Sequence, residues 1–151
     1  MSKHYFFCGV GGSGMSALAQ ILMARGHKVS GSDRSYDRGE TPEKFAALKA
    51  AGIHLYPQDG SGVDDQIDVL VVSSAVEPSI PDVKKATALG IGIEKRAAVL
   101  AGLFNESEGI AVAGTSGKTT VTGMIAHMLA AFDLDPTVMN GGHDITLSKR
   151  G

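Results

Sequence analysis

The segment Gly114-Thr115-Ser116-Gly117-Lys118-Thr119-Thr120 constrains the fold more than any other part of this chain. An apolar run, Ile110-Ala111-Val112-Ala113, leads into it, and Val121, Met124, Ile125, Met128 and Leu129 recur behind it at helical spacing. Strand, glycine turn, lysine, hydroxyl and helix, in that order, is the layout of a phosphate-binding loop. Glycines let backbone N–H groups turn inward around phosphate oxygens. The helix N-terminus adds partial positive charge. Lys118 is placed to reach terminal phosphates, and the Thr119 hydroxyl to ligate Mg²⁺. The strict pattern wants a further glycine where the chain has Val112, so the loop is a short variant.

A second glycine loop lies near the start. His4 to Cys8 reads as a strand, Gly9-Val10-Gly11-Gly12-Ser13-Gly14 follows, and Met15, Leu18, Ala19 and Leu22 then recur at helical spacing. Gly9, Gly11 and Gly14 satisfy the dinucleotide fingerprint in its proper strand-to-helix context. Gly9 permits the tight turn, Gly11 the approach of a diphosphate, and Gly14 close packing of helix on strand. Asp33 ends the predicted second strand at about the 20-residue separation that the fingerprint expects of a ribose-binding acid. The fingerprint reports a diphosphate at a helix N-terminus, which NAD, FAD and a sugar nucleotide all present.

The rest of the chain alternates strand and helix. Lys28 to Gly31 is a predicted strand, Arg34 to Thr41 a polar loop, and Thr41-Pro42 a capped helix start for a helix running to about Ala51. Ile53 to Tyr56 reads as a short strand. Asp68-Val69-Leu70-Val71-Val72 reads as a strand buried on both faces. Asp82 to Leu89 is a predicted helix, Ile91 to Ile93 a strand, and Lys95 to about Leu103 a helix. The polar stretch Phe104-Asn105-Glu106-Ser107-Glu108 marks a boundary, and Asp135 to Asn140 a last strand. The expected fold is α/β: a Rossmann-like parallel sheet flanked by helices over 1–104, then over 105–151 the beginning of a P-loop α/β domain.

Composition closes off other classes. No apolar run approaches the ~18 residues of a membrane span, and the short apolar start is not a secretion signal. A single cysteine, Cys8, excludes an internal disulfide and reads as a buried core thiol. A net charge of −2 without a basic stripe argues against nucleic acid. His4, His27, His54, His127 and His143 show no metal-ligand spacing. The cytoplasm is the expected compartment. Twenty glycines stand well above the ~7% usual share, and several fall in the two loops.

Phe7-Cys8-Gly9-Val10-Gly11-Gly12-Ser13-Gly14-Met15-Ser16 resembles the opening of the Mur ligases, in particular the branch that adds L-alanine to UDP-N-acetylmuramate. Val71-Val72-Ser73-Ser74-Ala75-Val76 resembles a second signature of that branch, and Lys95-Arg96-Ala97 its basic pair. Ala113 to Thr120 is similar to the family's ATP loop, and Asn140-Gly141-Gly142 to a stretch beyond it. Ser116 departs from the His usual in that branch and the Asn common in its sisters.

The resemblance implies an ATP-dependent, amide-bond-forming ligase of peptidoglycan precursor synthesis. ATP activates the muramate carboxylate as an acyl phosphate, and the amine of L-alanine displaces phosphate. Gly11, Gly12, Ser13 and Gly14 would hold the UDP diphosphate, Asp33 would face the nucleoside, and Ser73, Ser74 and Ala75 would line the same cleft. Arg96 would help hold the diphosphate or join domains. Gly114, Thr115, Ser116, Gly117, Lys118, Thr119 and Thr120 would hold ATP, with Lys118 the catalytic cation and Thr119 the Mg²⁺ ligand. Family members are longer and carry an acidic metal site, a modified lysine and a C-terminal domain that this sequence does not show, so a fragment inactive by itself is expected. Three other readings stay open: an NAD-dependent oxidoreductase, a non-catalytic UDP-sugar sensor, and a recycling ligase that attaches a peptide. Homo-oligomerisation is open as well.

Overall fold

The computed structural model describes residues 2–140. The chain divides into two compact units, Met1–Ser107 and Glu108–Gly151. The first contains β1 (His4–Cys8), α1 (Ser13–Ala24), β2 (Lys28–Ser32), α2 (Arg34–Asp37), α3 (Pro42–Ala50), β3 (His54–Tyr56), β4 (Val69–Val72), α4 (Pro81–Leu89), β5 (Gly92–Lys95) and α5 (Arg96–Asn105). The five strands form one sheet in the order β3-β2-β1-β4-β5, and every pairing is parallel. This is the expected Rossmann-like sheet with helices between its strands.

Phe6 pairs with Leu70, Phe7 with Val71 and Cys8 with Val72 across the β1–β4 ladder. Side chains alternate faces along each strand. Phe6, Cys8, Leu70 and Val72 therefore share one face, where they pack with Val63, Ile67, Val83 and Ala86. Phe7 and Val71 point to the other face. All four residues of β4 are buried, as its unbroken apolar run requires. Helix α1 buries Met15, Leu18, Ala19 and Leu22, the stripe expected from their spacing.

The order of strands fixes where a ligand can lie. From β1 the chain winds outward through β2 to β3, then returns to the far side of β1 to form β4 and β5. The switch point is thus between the carboxyl ends of β1 and β4. Open parallel sheets bind ligands in that crevice, because the loops there diverge to opposite faces.

Three local expectations are corrected. Residues 34–41 are not all loop: Asp33 caps a single helical turn, α2, by accepting from Ser35 N at 2.8 Å. Thr41 does not cap α3 with its side chain; it sits at φ +47°, ψ +56°, a strained conformation for a β-branched residue. Its successor Pro42 disfavours right-handed α geometry at position 41. Finally, β5 and α5 begin one residue later than expected, at Gly92 and Arg96.

In the second unit the described residues form one helix, α6 (Lys118–Ala131). Neither Ile110–Ala113 nor Asp135–Asn140 is a strand, against expectation. A strand exists through ladder bonds to a neighbour, and no described segment of this unit offers one. Gly141, Gly142 and His143 lie outside the described residues. No described helix is long and apolar enough to cross a membrane.

Candidate functional site

Four strand ends deliver the candidate residues of the first unit to one edge of the sheet. Gly9–Gly14 follows β1, Asp33 follows β2, Ser73–Ala75 follows β4, and Arg96 follows β5. Cys8 is in register with both Ser32 and Val72, and Val72 with Lys95. These loops consequently emerge side by side at the switch point.

The glycine loop is tightly held. Gly9 turns with φ +84°. Gly9 N and Val10 N both donate to the Ser32 carbonyl, at 2.8 and 3.0 Å. Gly11 N donates to Asp33 Oδ2 at 2.7 Å. Gly12 N closes the turn on Gly9 O at 3.2 Å. A Cβ at Gly11 would lie 2.7 Å from Asp33 Oδ2 and 2.9 Å from Phe45 Cζ, so glycine is required by the close approach of Asp33 and α3. The carboxylate of Asp33 bridges the loop and the first turn of α2, one oxygen on each.

This accounting leaves the N–H groups of Ser13 and Gly14 without a partner among the described residues. They are the first donors of α1, whose N-cap Gly12 supplies no side chain. The Arg96 guanidinium packs against Gly14: a Cβ there would meet Arg96 Nη1 at 3.0 Å and Cζ at 3.2 Å. Arg96 is partly buried and forms no ion pair with a described carboxylate. Two helix-terminal N–H groups without a described partner and a guanidinium outside any described ion pair thus occur at the start of α1, and both kinds of donor suit an anion. Ser73 carries the turn after β4, accepting from Val76 N at 3.2 Å, and the Ser73 and Ser74 hydroxyls make no described hydrogen bond.

Beneath the loop lies a group that sequence reasoning missed. Asp82, in the first turn of α4, is fully buried. It accepts from the Ser32 hydroxyl and from Gly60 N, the latter at 2.8 Å. Burial raises its pKa, against the lowering effect of those bonds. Cys8, also buried, is pushed up to about 12, first by burial and then by the Asp82 charge. That environment keeps it an inert thiol. A Pro-Asp pair opening a helix reads as a solvated first-turn acid, and only the distant partners Ser32 and Gly60 distinguish this one.

In the second unit, Gly114 and Gly117 take φ of +152° and +77°, and Gly117 is the N-cap of α6. Lys118 Nζ folds back to donate to Gly114 O at 2.6 Å and Thr115 O at 3.3 Å, across the mouth of the turn. The N–H groups of Lys118, Thr119 and Thr120 make no described hydrogen bond, and Thr119 O accepts from Asn140 Nδ2 at 3.0 Å. No cluster of three His, Cys, Asp or Glu able to hold a metal occurs among the described residues.

Residues 4–108 match the Mur ligase family, catalytic domain. The chain is 42% identical over 140 residues to a UDP-N-acetylmuramate–L-alanine ligase of Magnetococcus marinus, covering 93% of this chain and 28% of that protein. An enzyme of the same name from Aquifex aeolicus is 44% identical over 140 residues, covering 93% and 30%. Among solved structures, a Neisseria UDP-N-acetylmuramate:L-alanyl-γ-D-glutamyl-meso-diaminopimelate ligase superposes with a TM-score of 0.84 at 30% identity, over 97% of this chain and 45% of that one. A Thermotoga maritima UDP-N-acetylmuramate–alanine ligase does so with a TM-score of 0.75 at 32% identity, over 88% and 30%. The chain thus spans less than a third of the length of these curated relatives.

Proposed function

The chain belongs to the Mur ligase family, and from that premise we propose that it carries the sugar-nucleotide site and the ATP loop of a ligase joining L-alanine to the carboxylate of UDP-N-acetylmuramate. One observation carries the reading of the first loop: the Ser13 and Gly14 N–H groups open α1 without a described partner, and the Arg96 guanidinium, in no described ion pair, packs against Gly14. A diphosphate is the class of ligand that uses both helix-terminal N–H groups and a guanidinium. Gly11 acts differently from Ser13 and Gly14. Its N–H is held by Asp33, so it sets the shape of the loop while the next turn binds. Asp33, fixed by Gly11 and Ser35, orients the start of α2 beside the nucleoside. Ser73, Ser74 and Ala75 line the crevice across from the glycine loop, with two hydroxyls available for the sugar.

The second loop fits a nucleotide triphosphate. Its positive-φ glycines and the N–H groups opening α6 form the cradle. Lys118 already bridges the loop carbonyls, from which it needs only a rotation to meet phosphate oxygens. Gly114, Thr115, Ser116, Gly117 and Thr120 would frame the phosphates, and Thr119 would supply a hydroxyl to Mg²⁺. When bound, ATP would activate the carboxylate by phosphorylation, releasing ADP, and the amine of L-alanine would then displace phosphate. The chain's own part is positioning and charge neutralisation by Arg96 and Lys118.

The Neisseria ligase is named for a peptide rather than alanine as the joined group. Both named reactions use UDP-N-acetylmuramate, so the first unit would serve a peptide-attaching ligase equally well. The identities of 42–44% to alanine ligases favour alanine. Calorimetric titration of the chain with UDP-N-acetylmuramate, UDP, NAD⁺ and ATP–Mg²⁺ tests the reading. Binding of the UDP ligands without NAD⁺ is expected; binding of NAD⁺ alone overturns it. No ligation by this chain by itself is expected, and measured turnover overturns that part.

A further inference from the structure

We propose that Asp82 is a positioning residue for the glycine loop, acting through Ser32 to hold the loop in its ligand-binding shape. The inference rests on the sugar-nucleotide reading of that loop. Asp82 reaches no candidate ligand group, because it is fully buried below the sheet edge. Its two carboxylate oxygens take different jobs. Oδ1 accepts from Gly60 N at 2.8 Å and fixes the long β3–β4 connection. Oδ2 accepts from the hydroxyl of Ser32, which is itself fully buried.

Ser32 is the residue on which the glycine loop hangs. Its carbonyl takes Gly9 N and Val10 N, and its neighbour Asp33 takes Gly11 N. Consecutive loop N–H groups are therefore tied to residues 32 and 33. With them occupied, Ser13 and Gly14 are left as the loop's donors without a described partner, and Gly14 packs against Arg96. A buried carboxylate is costly unless fully hydrogen-bonded. Here it lies between two glycine-bearing loops and the end of β2, where a smaller neutral residue would fill space without fixing any of them. Asp82 thus links α4, packed on one face of the sheet, to a loop opening at its edge.

Two variants cut the link at different points. Ser32→Ala removes the hydroxyl and leaves Asp82 on Gly60; Asp82→Ala removes both bonds. Asp82→Asn is the conservative variant, because its amide still accepts from Gly60 N and can donate to Ser32 Oγ. Leu103→Ala, in α5, serves as a control for general destabilisation. Amide hydrogen exchange at Gly9, Val10 and Gly11 is measured in the 151-residue chain, alongside thermal stability and UDP affinity by calorimetry.

In Ser32→Ala the three loop amides are expected to exchange about tenfold faster beyond the change in global stability, as loss of about one hydrogen bond implies. UDP affinity is expected to fall by a similar factor, and Asp82→Asn to retain most of both properties. Exchange at these amides that rises only as much as in Leu103→Ala overturns the proposal, whether or not Asp82→Ala folds. Failure of the wild-type chain to bind UDP instead defeats the functional reading, while the exchange comparison still decides the role of Asp82.

Discussion

The two glycine loops obey the same local physics and live in different surroundings. The first emerges from the central strand of a five-stranded sheet, and Ser32, Asp33 and Gly9 between them accept its successive N–H groups. The second precedes a helix with three apolar positions in solvent: Val121 is 44% exposed, Met124 62% and Met128 58%. Only Ala126 and Ala130 of α6 are buried. The loop's lysine bonds to carbonyls of its own turn. Local sequence suffices to make a glycine turn and a helix start. Long-range partners are needed to hold the turn in one shape. The first loop has them among the described residues; in the second, Asn140 Nδ2 donates to Thr119 O at 3.0 Å.

Cavity formation gives the bluntest way to break the comparison. Leu70 is fully buried at the centre of the sheet, in register with Phe6. Leu70→Ala is expected to cost about 2–5 kcal/mol by chemical denaturation. Met128→Ala, on the exposed face of α6, should change stability by less than about 0.5 kcal/mol. Equal losses would mean that α6 is covered in solution and that the contrast between the units is false.

Ligand binding should separate the two loops cleanly. Arg96→Ala removes the guanidinium over Gly14, and loss of a charged hydrogen-bonding partner is worth about 1.5–3 kcal/mol, or roughly a 10- to 100-fold drop in UDP affinity. The melting temperature should hold, because Arg96 makes no described ion pair. Lys118→Ala should leave UDP affinity unchanged and abolish any ATP binding. Calorimetry on both variants checks this crossing pattern. A loss of UDP affinity in Lys118→Ala would show that the loops are not independent.

What the sequence revealed divides along the same line. The β1–loop–α1–β2 unit was legible because its signals agree: an apolar strand, glycines at the turn, Leu18 and Leu22 at helical spacing, and Asp33 at the next strand end. The β4 run Val69-Val72 was legible because burial on both faces leaves an unbroken apolar stretch. The strands expected at 110–113 and 135–140 were misread, since an apolar run states a preference and a ladder partner makes the strand. Asp82 was invisible for a related reason. Its partners Ser32 and Gly60 are remote in sequence, and nothing local separates a buried first-turn acid from a solvated one. Asp33 was found, but its contact with Gly11 was not, because spacing indicates which strand end a residue occupies and not which donor it takes.

Asp33→Asn measures how much that contact matters. The carboxylate accepts from Gly11 N and Ser35 N, and an amide can keep one of these bonds without a rotation that presents its NH₂ to a donor. A loss of about 1 kcal/mol in stability is expected, with a smaller loss of UDP affinity than in Arg96→Ala. A larger effect on affinity than on stability would move Asp33 from shaping the loop to touching the ligand.

The smallest effect concerns the thiol under the first loop. Cys8 has a folded-state pKa of about 12 against an ordinary 9.0, chiefly because burial penalises the thiolate. A raised folded-state pKa means that the folded protein keeps its proton longer than the unfolded chain does. The stabilisation is fully present below the unfolded pKa and is lost as pH rises from about 9 toward 12. By about pH 10 the loss should be on the order of 1 kcal/mol, and it should be absent in Cys8→Ala. Denaturation midpoints of the two proteins, followed from neutral to alkaline pH, should therefore converge or cross as the wild type weakens. Parallel curves would mean that the thiol ionises as easily folded as unfolded. Water would then reach the base of the glycine loop, and the buried Ser32–Asp82 support beneath it would be no more sheltered than the loop of the second unit.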